Sequence, residues 1–281
     1  MSENERTTPF LRWAGGKAWL VQYVDELVEQ LDFNNYFEPF LGGAAVYFSL
    51  NKMNQAFLSD LNAELVDTYN AIKQNPERVV SLIKNMDNNK DDYYRIRASK
   101  PETLEEIAAR FIYLNQTSYN GLYRVNKKGE YNVPYGYRKT WKYDYEKINR
   151  ASAKLKKAEV VCGDFSIFES IIKEKDLVFL DPPYTVSHNQ NGFIKYNQKL
   201  FSLEDQYRLR AFIDSIVDKH AYYILTNAAH ETILEIFSRG DTVLSLDRNS
   251  LIGGKNANRS KVSEYVFTNV PIPPPMEQFL I

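Results

Sequence analysis

Tyr36-Phe-Glu-Pro-Phe-Leu-Gly-Gly-Ala-Ala45, followed by Gln55-Ala-Phe-Leu-Ser-Asp-Leu61, is the stretch that decides the fold class. Residues 36–40 read as a short apolar strand, the two glycines as a turn into a helix over 45–51, and residues 55–61 as a second strand. Strand, glycine turn, helix and strand in that order predict the start of a parallel α/β sheet. The same grammar resumes at 158–162, at Asp176-Leu-Val-Phe-Leu180, at Tyr222-Tyr-Ile-Leu-Thr226, and near 242–246 and 264–268, with helical sequence such as 203–219 between strands. On the amino-terminal side, an extended arm over 7–17 runs into a glycine turn. Leu20, Val24, Leu27, Val28 and Leu31 then recur at helical spacing.

Between the two runs of sheet sequence the pattern changes. Residues 65–74, 76–86 and 104–114 read as helices, and 119–139, rich in Gly, Asn and Tyr, as a hairpin turning near Lys127-Lys128-Gly129. The expected organisation is a sheet domain formed by residues 1–62 and 157–281, interrupted by an insertion over 63–156. The Pro-rich tail, 271–275, reads as a surface strap.

With 281 residues, 44% hydrophobic and 25% charged, the chain can bury one full core and a smaller second region. Its single cysteine, Cys162, forbids an internal disulfide and suits a reducing, cytoplasmic setting. His188, His220 and His230 are scattered, so neither a metal site nor a histidine-based triad is expected. No run approaches the ~18 apolar residues of a membrane span, and a soluble protein is expected. Net charge is -1, which by itself argues against a nucleic-acid partner. Its distribution argues the other way. From Arg110 to Lys157 there are twelve Lys/Arg against three acids, together with eight of the twenty tyrosines and Trp141. Interleaved positive charge and flat rings are what a nucleic-acid surface requires.

Open α/β sheets bind ligands in the crevice at the carboxyl ends of their strands. Gly42 and Gly43 stand there after the first strand, and Asp60 ends the second, 18 residues after Gly42, where a carboxylate can accept from both hydroxyls of a ribose. NAD and S-adenosylmethionine both satisfy that much. The G-x-G-x-x-G fingerprint is absent, so no pyrophosphate cradle is prepared, which favours a nucleoside lacking a diphosphate. Asp181-Pro-Pro-Tyr184 follows a buried strand at the corresponding place. The amine of adenine is a poor nucleophile because its lone pair is delocalised into the ring. Two acceptors aimed at its N–H bonds can free that pair: the Asp181 carboxylate and the Pro182 carbonyl, with Pro183 stiffening the loop. Tyr184 offers a face on which the base can stack. A base inside a duplex cannot reach such a pocket, so it must be flipped out. Either motif alone also makes an ordinary rigid turn; together they point to methyl transfer.

The chain resembles the Dam family of adenine-N6 DNA methyltransferases, the D12 class that includes the DpnII-type modification enzymes. The resemblance rests on Phe10-Leu-Arg-Trp-Ala-Gly-Gly-Lys17, Glu38-Pro-Phe-Leu-Gly-Gly43, Leu58-Ser-Asp-Leu-Asn62, Tyr119-Asn-Gly-Leu-Tyr-Arg124 with Tyr131-Asn-Val-Pro-Tyr-Gly136, and the Asp181 tetrapeptide, and runs over nearly the whole chain. It implies a Rossmann-like S-adenosylmethionine-dependent sheet with an inserted helical and β-hairpin DNA-recognition domain. It further implies that Trp13, Ala14, Gly15 and Lys17 contact the cofactor. Glu38, Pro39, Phe40, Gly42 and Gly43 would form the loop on its methionine side, Asp60 would hold the ribose, and Asp164 with Phe165 would meet the adenine ring. For double-stranded DNA, it implies base-edge contacts from Leu122, Arg124 and Pro134 in GATC-type sites and a contact of Arg12 with the outer base pair. Tyr119 and Asn120 would fill the gap left by the flipped base. Asn132, Tyr137 and Arg138 join them on the hairpin, and Arg248, Arg259 and Lys261 lie in a second, phosphate-contacting loop. The family often has glycine at the position of Ala44 and arginine at that of Gln116. A monomeric, bacterial or phage-encoded enzyme is the expectation, without metal or membrane. RNA adenine-N6 methylation and a catalytically inactive DNA-binding regulator are the competing readings.

Overall fold

The computed structural model describes residues 6–138, 143–184, 201–238, 240–249 and 261–281, apart from the side chains of residues 248, 249 and 261. Two compact units account for them: Met1–Val21 with Leu41–Asp164, and Gln22–Phe40 with Phe165–Ile281. The first holds the whole 63–156 segment together with the amino-terminal arm and two strands.

In that first unit, helix α2 (Ala45–Ser49) leads to strand β2 (Ala56–Asp60), which runs parallel to β3 (Ala158–Cys162) in a five-residue register from Ala56↔Ala158 to Asp60↔Cys162. Five further helices fill it: α3 (Ala63–Gln74), α4 (Pro76–Lys84), α5 (Lys90–Ala98), α6 (Leu104–Thr117) and α7 (Tyr145–Leu155). Their starts follow from capping chemistry. Asn62, Asn75, Asn89 and Asp144 each accept a backbone N–H in the first turn, and Thr103 with Glu106 forms a reciprocal capping box. Each such cap stabilises by about 1 kcal/mol. Helices α5 and α7 are additions to the elements read from sequence.

The hairpin that follows α6 has antiparallel bridges Val125↔Tyr131 and Ser118↔Tyr135 and a turn closed by Gly129 N–H on the Asn126 carbonyl. Gly136 is required at its base, because a Cβ there would stand 2.5 Å from the Ser118 carbonyl oxygen. The tyrosines of this region correct the expectation of a stacking surface. Tyr93, Tyr113, Tyr131 and Tyr135 form a core with Ile96, Leu114 and Val133, whereas Tyr94, Tyr119 and Tyr137 are among the exposed large side chains. The buried hydroxyls find backbone partners: Tyr93 donates to Val133, Tyr113 to Asp87, Tyr131 to Leu122 and Tyr135 to Asn88. The hairpin is thus fixed by phenols reaching into it, and aromatic content there reports packing before it reports binding. Arg110 belongs to this core as well. It donates to the carbonyls of Ile96 and Arg97 and to Glu64, so it is no part of a nucleic-acid face.

In the second unit, α1 (Val21–Val28, all but its first residue) buries Val24, Leu27 and Val28, as its spacing demands. Strand β1 (Tyr36–Glu38) pairs in parallel with β4 (Leu177–Leu180), and β4 in parallel with β5 (Tyr222–Ala228). Strand β7 (Lys261–Thr268) lies antiparallel between β5 and β6 (Thr242–Asn249). Helices α8 (Leu203–Asp218) and α9 (Glu231–Phe237) follow β4 and β5. All four residues of β4 are buried, the mark of an inner parallel strand. The tail docks on β6 through Leu244↔Leu280 and Ile281 N–H to Val243, anchored by the fully buried Met276. Seven strands with these helices make the mixed α/β protein expected from residues 36–61. No helix among the described residues is long and apolar enough to cross a membrane.

Candidate active site

In the first unit the candidate residues gather around the glycine turn. Gly42 has φ +46°, and a Cβ there would lie 2.7 Å from the indole nitrogen of Trp13; one on Gly43 would lie 2.9 Å from the Trp13 Cβ. The turn is glycine because tryptophan packs directly on its backbone. Asp60, at the end of β2, accepts from Gly42 N–H through Oδ2 (3.0 Å) and from Asn62 N–H through Oδ1 (2.9 Å). Tyr69 donates to the Gly42 carbonyl at 3.0 Å. Burial raises the Asp60 carboxyl above the ordinary aspartate range, outweighing the N–H groups of Asn62, Gly42 and Leu61 that favour its charge. A carboxylate has about four lone-pair sites. The backbone donors do not use all of that capacity, so Asp60 can still accept from a ligand hydroxyl. Lys17 is buried and donates to the Gly15 carbonyl at 3.1 Å, while Ala14 and Gly15 are exposed beside it. Asp164 is half-buried one residue after Gly163, whose N–H binds the Asp60 carbonyl.

Trp13 continues this arrangement toward the hairpin. Its ring stacks on Tyr123 at 5.9 Å and 25°, and Tyr123 lies between Leu122 and Arg124. The Tyr123 hydroxyl donates to Glu64, the carboxylate that also receives Arg110. Arg124 is exposed and held by Asn132, with Nε to Asn132 Oδ1 at 2.7 Å. Leu122 is half-buried against the tyrosine core, whereas Pro134 is exposed. Arg12 is clamped through its backbone by Asn115, which accepts from Arg12 N–H (2.8 Å) and donates to its carbonyl (2.6 Å). Burial and the nearby charge of Arg138 lower its pKa. Tyr119, Asn120, Tyr137 and Arg138 are exposed, with Asn120 at φ 56°. Gln116 is engaged with the Phe10 carbonyl at 3.2 Å, so it helps to tie down the amino-terminal arm.

In the second unit Asp181 and Tyr184 follow β4. Thr226 of β5, which the sequence reading did not single out, donates to Asp181 Oδ1 at 2.8 Å. Tyr184 donates to Glu264 of β7 at 2.5 Å. Pro182 is buried between them in sequence, and Pro183 is half-buried. Buried Glu38 accepts from Tyr36 at 2.7 Å, and Pro39 is buried beside it. Phe40 and Phe165 stack at 5.5 Å and 25°, Phe201 completes the cluster, and the Arg208 guanidinium lies 4.9 Å from the Phe165 ring centre. Thr226 and Glu264 were readable only as strand residues, since nothing in a strand sequence says which loop it will support. Arg248 and Lys261 belong to the paired ends of β6 and β7, so these strands run further than expected; their side chains, and Arg259 altogether, lie outside the described residues.

The family model for D12 class N6 adenine-specific DNA methyltransferases matches residues 13–250, spanning both sets of groups. The chain belongs to that family. Among its relatives are the Type II methyltransferase M1.LlaDCHI of Lactococcus lactis subsp. cremoris, 33% identical over 93% of this chain and 95% of the relative, and M.MjaIII of Methanocaldococcus jannaschii, 35% identical over 78% and 84%. The DNA adenine methylase of Escherichia coli K12 is 28% identical over 92% and 94%. This D12 class methyltransferase is therefore an adenine-specific DNA methyltransferase with the mixed, seven-strand α/β architecture of Rossmann-like methyltransferases.

Proposed function

We infer that the enzyme takes its methyl group from S-adenosylmethionine and places it on N6 of an adenine flipped out of duplex DNA, at GATC-type sites. The observation that carries this reading is the support of the tetrapeptide: Asp181 receives Thr226, and Tyr184 is tied to Glu264, so acceptor and ring are both held by neighbouring strands. The cofactor residues fit. The glycine turn closed by Trp13 and the half-buried Asp60 suit a ribose, and no pyrophosphate cradle accompanies them. When bound, S-adenosylmethionine supplies an electrophilic methyl group on a sulfonium.

The chain's own residues do the rest. In the first unit Gly42 and Asp60 would hold the ribose, with Trp13 and Lys17 shaping the turn; Glu38 through Gly43, Asp164 and Phe165 are the further residues assigned to the cofactor. Asp181 and the Pro182 carbonyl accept the two N–H bonds of the amine, which draws its lone pair out of conjugation, and Tyr184 stacks on the ring. With the donor bound, the freed nitrogen pair would take the methyl group, and the electrons of the bond it leaves would stay on sulfur. The methylated amine must then lose one proton, and the Asp181 carboxylate is the acceptor assigned to it. Arg124 suits bidentate reading of a guanine, and Leu122 and Pro134 suit a thymine methyl. Arg12, Tyr119, Asn120, Tyr137 and Arg138 are assigned to DNA, and residues 63–156 to target recognition. Methylation of a GATC duplex, a scrambled duplex and a structured RNA tests the assignment. Labelling confined to the GATC duplex is expected; labelling of the scrambled duplex removes the site assignment, and labelling of RNA alone removes the substrate.

A further inference from the structure

Glu264 is a buried acid that the reaction described above does not use. It is 1% exposed in β7, where an apolar side chain would cost less to bury. The β5–β7 register places it opposite Ala228, two residues from the Thr226↔Val266 pair. The strand that supports Asp181 through Thr226 is therefore hydrogen-bonded to the strand that supports Tyr184 through Glu264. The contact itself is a phenol donating to a carboxyl oxygen, and a hydrogen bond to an ionised acceptor is roughly twice as strong as one between neutral groups.

We propose that Glu264 is a positioning residue which, by pulling on the Tyr184 phenol proton, enriches the Tyr184 ring in electron density and strengthens its hold on the positive charge that grows on adenine during methyl transfer. This rests on the reading of Tyr184 as the platform for the target base. The face of an aromatic ring is negative and attracts cations, and donation to a carboxylate moves phenol density toward the ring. The adenine is neutral before transfer and cationic once N6 has given its pair to the methyl carbon, until the proton leaves for Asp181. Tyr184 and Glu264 neither gain nor lose a proton. Because the attraction exists only as charge develops, it accelerates the step without tightening the initial complex.

The test uses the full chain, unmethylated duplex DNA and S-adenosylmethionine. Glu264→Gln keeps an acceptor oxygen and removes the charge; Tyr184→Phe removes the same hydrogen bond from the other side, which covers a folding failure of the buried variant. The single-turnover methylation rate should fall about tenfold in each, with duplex Kd changed by less than about twofold, and the double variant should fall no further than either single one. Ultraviolet resonance Raman bands of Tyr184, identified by difference from Tyr184→Phe, should shift in Glu264→Gln from a strong toward a weak donor. A wild-type rate in Glu264→Gln, unshifted bands, or effects that multiply in the double variant overturn the proposal. Tyr184→Ala separates the two layers of argument. Full activity in that variant overturns the platform reading and this inference with it, whereas a crippled Tyr184→Ala beside fully active Glu264→Gln and Tyr184→Phe overturns the role of Glu264 alone.

Discussion

The hydroxyl of Thr226 donates to Oδ1 of Asp181 at 2.8 Å, from a buried position on the strand next to the one that Asp181 ends. This bond orients the carboxylate to which the proposed reaction assigns the substrate amine. A hydrogen bond to a charged group contributes about 1.5–3 kcal/mol. Thr226→Val, which preserves shape, should therefore lower the single-turnover methylation rate about tenfold or more while leaving duplex affinity unchanged. Quench-flow methylation beside a duplex titration checks it, and an unaltered rate would show that Asp181 needs no such support.

Ala44 sits at φ 56°, ψ 35°, at the start of α2, where an L side chain is strained. The left-handed conformation costs a non-glycine residue about 1 kcal/mol. Ala44→Gly should stabilise the protein by roughly that amount, less the extra chain entropy of glycine. Denaturant unfolding reads the difference. The strain gives a physical reason for the glycine often found at this position in the family.

Asp60 is held above the ordinary aspartate pKa by burial. A raised carboxyl pKa means that the neutral form stabilises the fold: that contribution is present below the unfolded value of about 3.9 and is lost as pH rises through the folded one. In its proposed role Asp60 accepts ribose hydroxyls in the charged form, so cofactor affinity should strengthen over the same rise. Calorimetric titration with a non-reactive cofactor analogue should show affinity falling on acidification at a higher pH than an ordinary aspartate would give. Asp60→Asn should remove that dependence.

Arg124 is pre-positioned by Asn132. Arg124→Ala should relax discrimination by about 1–3 kcal/mol at a single guanine. Asn132→Ala should weaken discrimination at the same base by less, since it frees the guanidinium without removing it. Methylation rates on duplexes substituted one base at a time resolve both. A uniform loss on all sequences would mark Arg124 as a phosphate contact.

Much of the fold was legible because its signals are local. Strand β3 coincides with the apolar run 158–162, and Gly42, Asp60 and Asp181 stand at or just after strand ends, where such sheets bind ligands. Helix α7 was masked by its own charge: the buried stripe Ile148, Ala151, Ser152 and Leu155 carries helical spacing, but the lysines and arginines around it read as a binding surface. Helix α5 buries only Tyr93 and Ile96, too little periodicity to notice. The tyrosines were misread for a related reason. A phenol that donates to a backbone carbonyl inside a hairpin looks, in sequence, like one that awaits a base. Thr226 and Glu264 became visible only when strand pairing brought distant residues together.

The central claim is that the Asp181 tetrapeptide performs the chemistry, and Asp181→Ala tests it most directly. Single-turnover reaction of this variant with duplex DNA, read by mass spectrometry for N6-methyladenine beside a measured duplex affinity, should show binding retained and no methylated adenine. Methylated adenine formed at the wild-type rate would contradict the account.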